Sequence, residues 1–341
     1  MPEALADLRA ALAVAVLLPL VVLAAAVGLS TGAGALSLRD ALRGHEPDAT
    51  VLFRLRMPRV LLAAEVGAAL SVAGVALQAL LRNPLADPFV FGLSGGAAIG
   101  TAIVTVASGS AVGVAATYGA AFFGLLPAQL AAMAGAMAAA LLVFTLGRAR
   151  GQLEPSRALL VGVVFNSFAS ALVLSVEAVL RPDQMQAVSL WLAGTLGYEA
   201  LPLLAGAGVA LLVPALVLIA LAGRLNLLAL GDEGAAALGV DVGRTRLLAF
   251  FAASAAVGIA VAFTGLVGFV GLIVPHAVRL VAGPDHRVVL PASALGGAAF
   301  LVLADALARV LFRGLGAEPP VGAVTAIVGA PLFVLLMRSR R

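Results

Sequence analysis

The stretch Leu225-Asn-Leu-Leu-Ala-Leu-Gly-Asp-Glu-Gly-Ala-Ala-Ala-Leu-Gly-Val-Asp-Val-Gly-Arg-Thr-Arg246 decides how this chain is read. It carries three acids, two arginines and four glycines, and it separates two apolar blocks, 200–223 and 247–278, that contain no Asp, Glu, Lys or Arg. Hydrocarbon offers no partner to charged groups or irregular backbone. The blocks therefore belong in a bilayer, and the polar island belongs outside it. A short, semi-amphipathic surface held between spans is presented to something, and what receives it sets the function.

The rest of the chain agrees. Of 341 residues, 62% are hydrophobic and 11% charged, where soluble domains carry about 25% charged residues. The mean hydropathy is +1.13. The chain has no cysteine, which excludes disulfides, thiolate metal sites and cysteine nucleophiles. It also has no lysine, all 21 basic residues being arginine. A phosphate-binding P-loop needs its Gly-Lys-Ser/Thr, so this chain binds no nucleotide in that way and any ATP-driven work must enter from a partner. The sequence pI of about 10.8 does not point to nucleic acid. Aromatics are 5%, and the arginines are scattered between apolar segments, as in ordinary membrane topology.

A span needs roughly 20 mostly apolar residues. Hydropathy predicts about ten: 10–28, 59–81, 90–108, 120–147, 158–180, 200–223, 247–264, 267–282, 289–312 and 320–337, with a turn near Ser108–Gly119. The split near Thr264 rests on Gly265, Gly268 and Gly271. With both termini inside, thirteen arginines fall on the cytoplasmic side and eight outside, five of these in the first outer loop. That bias supports the orientation. The first segment is read as a retained span rather than a cleaved signal, because Glu3 and Asp7 outweigh Arg9 ahead of it.

Smaller motifs add constraints. Arg82-Asn-Pro-Leu-Ala-Asp-Pro88 is a helix-stopping turn. Gly92, Gly96 and Gly100 recur every four residues and predict one smooth face packed against a neighbouring helix. Gly92-Leu-Ser-Gly-Gly96 also matches short serine-hydrolase patterns, with His276 as the nominal base. A membrane helix lacks the strand–turn–helix setting of that elbow, so an intramembrane serine protease is a weak reading. Acids within spans are few, chiefly Glu65, Glu177 and Asp305, with no ladder of pairs. An ion-coupled secondary transporter is thus the alternative rather than the first choice. No second ligand stands at metal spacing from His276, so no metal site is expected.

Taken together the motifs resemble the FecCD family, permease subunits of ATP-driven importers for cobalamin, haem and iron-siderophores. The strings that carry the resemblance are Arg56-Met-Pro-Arg59, Gly67-Ala-Ala-Leu70, Arg82–Pro88 with Gly92–Gly96, Trp191-Leu-Ala-Gly194, and Leu228-Ala-Leu-Gly-Asp-Glu233. They continue with Leu238-Gly-Val240, Gly268-Phe-Val-Gly-Leu-Ile-Val-Pro-His276, Gly283-Pro-Asp-His-Arg287, Pro320–Thr325 and Gly329-Ala-Pro331.

The resemblance implies an all-α polytopic protein of type II ABC importer architecture, forming a single transmembrane domain over 1–341. It implies a homodimer, two cytoplasmic ATPase subunits that bring ATP and Mg, a periplasmic binding protein, a bulky metal chelate as cargo, and a place in the bacterial inner membrane. No cofactor is expected in this chain, and no covalent chemistry. The island at 225–246 becomes the coupling loop that docks on the ATPase, with Leu230, Gly231, Asp232, Glu233, Ala235, Leu238 and Gly239 matching the family pattern. Arg56, Arg59 and Arg309 match positions that meet acidic residues of the binding protein. Asn83, Leu85, Pro155 and Ser156 match the cytoplasmic gate, and Asn166, Ser167 and Ser170 the pathway wall. Those wall side chains are small and weakly polar, which predicts a wide conduit without a tight cargo site.

Overall fold

The computed structural model describes residues 2–32, 36–107, 127–149, 151–315 and 318–338. Its long helices are α1 (Pro2–Ser30), α2 (Met57–Leu81), α3 (Leu93–Ala107), α4 (Pro127–Leu146) and α5 (Pro155–Glu177). A shorter α6 (Pro182–Leu192) precedes α7 (Leu201–Ala220). The island follows as α8 (Ala222–Leu228) and α9 (Asp232–Ala237). The chain closes with α10 (Val242–Thr264), α11 (Val270–Ala282), α12 (His286–Leu315) and α13 (Val321–Arg338). A two-residue hairpin, β1 (Arg148–Ala149) with β2 (Gln152–Leu153), joins α4 to α5.

Among the described residues, seven helices are long and apolar enough to cross a membrane, and three shorter apolar ones, at Leu93–Ala107, Val270–Ala282 and Val321–Leu336, complete the ten predicted positions. The predicted turn near Ser108–Gly119 lies outside the described residues. The 225–246 island folds into short helices: α8 and α9 occupy it, and α10 starts at Val242. Two expectations are corrected. The first outer loop is shorter than expected: a π-helical stretch, Val51–Arg56, runs straight into α2, so Arg54, Arg56 and Arg59 sit on a rising helix. Finally, α6 is an extra helix between two spans that hydropathy alone does not reveal.

The core is built round α2, which packs against α12, α10, α11 and α7, while α3 pairs with α4 and α1 lies along α12. Small residues set these distances. A Cβ at Gly74 would stand 2.0 Å from the Gly271 carbonyl oxygen, and one at Gly100 would stand 2.0 Å from that of Ala131. Backbone-to-backbone approach of this kind is how helices gain contact where lipid supplies no hydrophobic drive. The predicted glycine face on α3 is therefore Gly96 and Gly100. Gly92 is not on it: it closes a 3-10 turn, Pro88–Phe91, at φ +80, ahead of the helix. The predicted break near Thr264 is present. Gly265 has φ +66 and Phe269 φ +69, and α11 restarts beyond them.

Candidate functional site

On the face carrying the island, α9 is short and bounded by glycines for conformational reasons. Gly231, its N-cap, has φ +103, where a side chain is strained. At the other end the Val240 N–H donates to the Ala235 carbonyl (3.0 Å) and the Gly239 N–H to that of Ala236 (2.9 Å), with Gly239 at φ +82. This is a Schellman cap. Asp232 and Glu233 occupy the first turn, where the helix dipole favours acids. Ala235 is fully buried against the chain itself, so it is not part of the surface offered outward. The exposed apolar groups are Leu230 (66%) and Leu238 (59%), flanked by exposed Ala236 and Ala237.

The residues expected at the gate occupy two turns. Asn83 and Leu85 are exposed, and Asn83 Oδ1 accepts the Leu85 N–H at 3.0 Å, which holds the first turn open toward solvent. Pro155 opens α5, and Ser156 beside it is exposed. Side chains from elsewhere brace both turns. Asp232 Oδ1 receives the Arg82 guanidinium and also Arg246 Nη2 (2.7 Å). Arg82 Nε donates to the Leu228 carbonyl (3.0 Å), and Arg246 Nη1 to that of Leu153 (3.3 Å). A cavity of about 580 Å³ lies beside them, lined among others by Gln78, Arg82, Asn83, Asn226, Arg279 and Asp285.

The residues expected to line the pathway divide. Ser167 and Ser170 are exposed on α5. Asn166 is half-buried and does something the sequence does not disclose. Its Nδ2 donates to the Phe89 carbonyl (2.8 Å), and its Oδ1 accepts from Gly95 N (3.2 Å) and Ser94 Oγ (3.4 Å). Asn166 lies eleven residues into α5, about 17 Å along the helix. The turn at Phe89–Gly92 thus reaches into the depth of the membrane, and α3, at 15 residues or about 22 Å, starts there. Such backbone is tolerated in a bilayer only when protein satisfies it, and Asn166 does so. Ser94 lines a cavity of about 390 Å³ shared with Asn166, Ser170, Glu177 and Leu266, and its hydroxyl donates to Asn166.

At the opposite end, the three arginines expected to point at a docking partner are buried, each 5% exposed, and each reaches groups within the chain. Arg59 Nε and Nη2 reach Asp305 Oδ1 (2.9 and 2.8 Å), and the same guanidinium pairs with Glu318. Arg309 Nη2 pairs with Asp305 Oδ2 (2.9 Å). Arg309 Nη1 donates to the Gly28 and Thr31 carbonyls (2.9 and 2.8 Å), and Arg56 Nη1 to those of Leu29 and Ser30 (2.9 and 3.0 Å). Two cations thereby close the C-terminus of α1, where unpaired carbonyls carry the negative end of the dipole. The fork geometry that suggested carboxylate binding is correct, but the carboxylates it meets are Asp305 and Glu318. Nearby, burial pushes the Glu199 carboxyl above its ordinary pKa, and Gln129 Nε2 donates to it at 3.3 Å.

Ten apolar segments, a 3-10 turn held by Asn166 and a glycine-bounded polar helix define the membrane-spanning permease subunit of an ABC importer, of type II fold. The chain belongs to the FecCD transport family, whose model matches residues 12–339. It is 43% identical over 287 residues to the cobalamin import system permease protein of Halobacterium salinarum, covering 84% of this chain and 73% of that one. It is 39% identical over 332 residues to the hemin transport system permease protein of Yersinia pestis, covering 95% of both. The ferric enterobactin transport system permease protein of Escherichia coli is 36% identical over 339 residues, covering 97% and 96%. Among solved structures, an inward-facing conformation of a metal-chelate type ABC transporter superposes with TM-score 0.82 at 30% identity, covering 96% of this chain and 99% of that one. Like others of its family the chain is non-catalytic, and hydrolysis belongs to a separate ATPase subunit.

Proposed function

We propose that two copies of this chain form the conduit of an importer for a bulky metal chelate of the cobalamin, haem or iron-siderophore kind. The observation that carries the reading is α5. Of its 23 residues only Ala158, Gly162, Ala169 and Val173 are buried, which leaves uncovered a face that carries the small polar Ser167 and Ser170. A second copy opposite would enclose that face as a wide, weakly polar passage. Selectivity then rests mainly with the binding protein.

In this reading Leu230 and Leu238 seat α9 on an ATPase that carries ATP and Mg, and closure of that ATPase acts on the turns at Asn83–Leu85 and Pro155–Ser156. Both termini lie in the cytoplasm of a cell whose inner membrane holds the complex. The binding protein docks on the outer face. Arg56, Arg59 and Arg309 stiffen that face from within, and the exposed Arg39, Arg43 and Arg54 are free to meet its acids. The test is reconstitution with the ATPase and binding protein in proteoliposomes, supplied with cyanocobalamin, haemin or ferric enterobactin. ATP-dependent uptake of one of them is expected. Uptake driven by an ion gradient without ATP would overturn the reading in favour of a secondary carrier.

A further inference from the structure

We infer that Asp232 is the single node through which the coupling helix holds both cytoplasmic gate turns, with Arg82 and Arg246 as its two arms. The inference rests on the permease reading above and adds residues to it. One carboxylate oxygen, Oδ1 of the first residue of α9, accepts both guanidiniums. Arg82 directly precedes Asn83 in the first turn, and its Nε is fixed on the last residue of α8 by the Leu228 carbonyl (3.0 Å). Arg246 belongs to α10, and its other arm holds the Leu153 carbonyl, two residues before Pro155 (3.3 Å). A displacement of α9 is therefore applied to both turns at once.

The two arms differ in stiffness. The Arg246 side chain is 7% exposed, so its pairing works in a medium of lowered dielectric; that of Arg82 is 40% exposed and is screened by water. Arg82 also sits at φ +48, a left-handed conformation uncommon outside glycine, and this aims its side chain back at α8 and α9. The structure thus assigns Arg246 as the fixed pivot and Arg82 as the arm that can let go. These are positioning residues; none of them touches cargo. In sequence, Asp232 looks like an ordinary N-terminal helix acid, and nothing there ties it to residues 14 and 150 positions away.

The experiment uses the complete importer in proteoliposomes with the chelate that the unmodified protein takes up from cyanocobalamin, haemin and ferric enterobactin. The variants are Arg82→Gln, Asp232→Asn and Asp232→Glu. Two quantities are read: ATP hydrolysed per chelate imported, and labelling by a water-soluble maleimide of a cysteine placed at Asn83, with and without ATP. This chain has no native cysteine, so label recovered on its band reports the cysteine at position 83 alone. A node predicts that Arg82→Gln and Asp232→Asn raise the ATP cost per chelate by about tenfold, within the range of ordinary coupling free energies. It also predicts that they erase the nucleotide dependence of labelling, and that Asp232→Glu restores both. A merely structural role would lower the amount of folded protein and leave the ratio unchanged. If the unmodified importer shows ATP-dependent uptake and nucleotide-dependent labelling, and Arg82→Gln and Asp232→Asn do so equally, the node is overturned. If the unmodified importer shows neither, the permease reading itself falls.

Discussion

Asp305 offers the sharpest test of the outer ion cluster. It is fully buried, and it accepts two contacts from Arg59 and one from Arg309. Asp305→Asn keeps the shape but removes the charge that balances two guanidiniums, each within a residue only 5% exposed. Removing one partner of a buried ion pair costs about 3–5 kcal/mol, because the cation left behind stays desolvated. The side chain of Glu318 is 34% exposed and also meets Arg59, which places the expected loss at the lower end, about 3 kcal/mol. For a chain of this size each kcal/mol moves the melting midpoint by about 2 °C, so a fall of about 6 °C is expected. The single tryptophan, Trp191, reports unfolding by intrinsic fluorescence in detergent. Arg181→Gln is the control. Its pair with Asp183 is 3.5 Å long and about half exposed on both sides, so its loss is worth about 0–1 kcal/mol. A shift for Asp305→Asn no larger than that for Arg181→Gln would refute the account of the arginines as an internal clasp.

Further outcomes follow from named contacts. Asn166→Ala removes the acceptor of the Gly95 N–H and one of the two donors to the Phe89 carbonyl, which keeps the Gly92 N–H, and should destabilise by about 1–3 kcal/mol, read as a lower midpoint, whereas Ser167→Ala on the exposed face should not. Gly100→Val places a Cβ 2.0 Å from the Ala131 carbonyl oxygen and should block packing of α3 on α4, seen as loss of monodisperse protein on size-exclusion chromatography; normal yield would contradict the close approach. Gly239→Pro removes an N–H that closes α9 and forbids its φ of +82, so uptake should be lost while the protein still inserts in the membrane; intact uptake would refute the coupling role of α9.

Much of the fold is legible in the sequence because hydropathy is local and additive. Every predicted span has its helix, and the interruption between α10 and α11 falls at Gly265–Phe269, where glycines stand. The polar island is legible for the same reason, as is its termination by Gly231 and Gly239. What hydropathy misses is amphipathic or short. The helix α6, at Pro182–Leu192, holds enough polar residues to read as a loop, and the register of Gly92 depends on a 3-10 turn that the four-residue spacing conceals.

The roles of individual polar residues are the part that only tertiary structure decides. Arg59 and Asp305 are 246 residues apart, Arg82 and Asp232 150, and Asn166 and Phe89 77. In sequence an arginine beside the membrane looks equally fit for a partner's acid, a headgroup or an internal carboxylate, since its fork suits all three. Helix packing chooses among them by bringing Asp305 into the interior and leaving Arg43 and Arg54 at the surface. By itself the sequence determined that this chain crosses a membrane and must take its energy from elsewhere, because apolar length and a missing lysine are properties of the chain alone. The structure decided which charges face inward and which carboxylate joins α9 to Arg82 and Arg246, because those depend on partners brought together only when the helices pack.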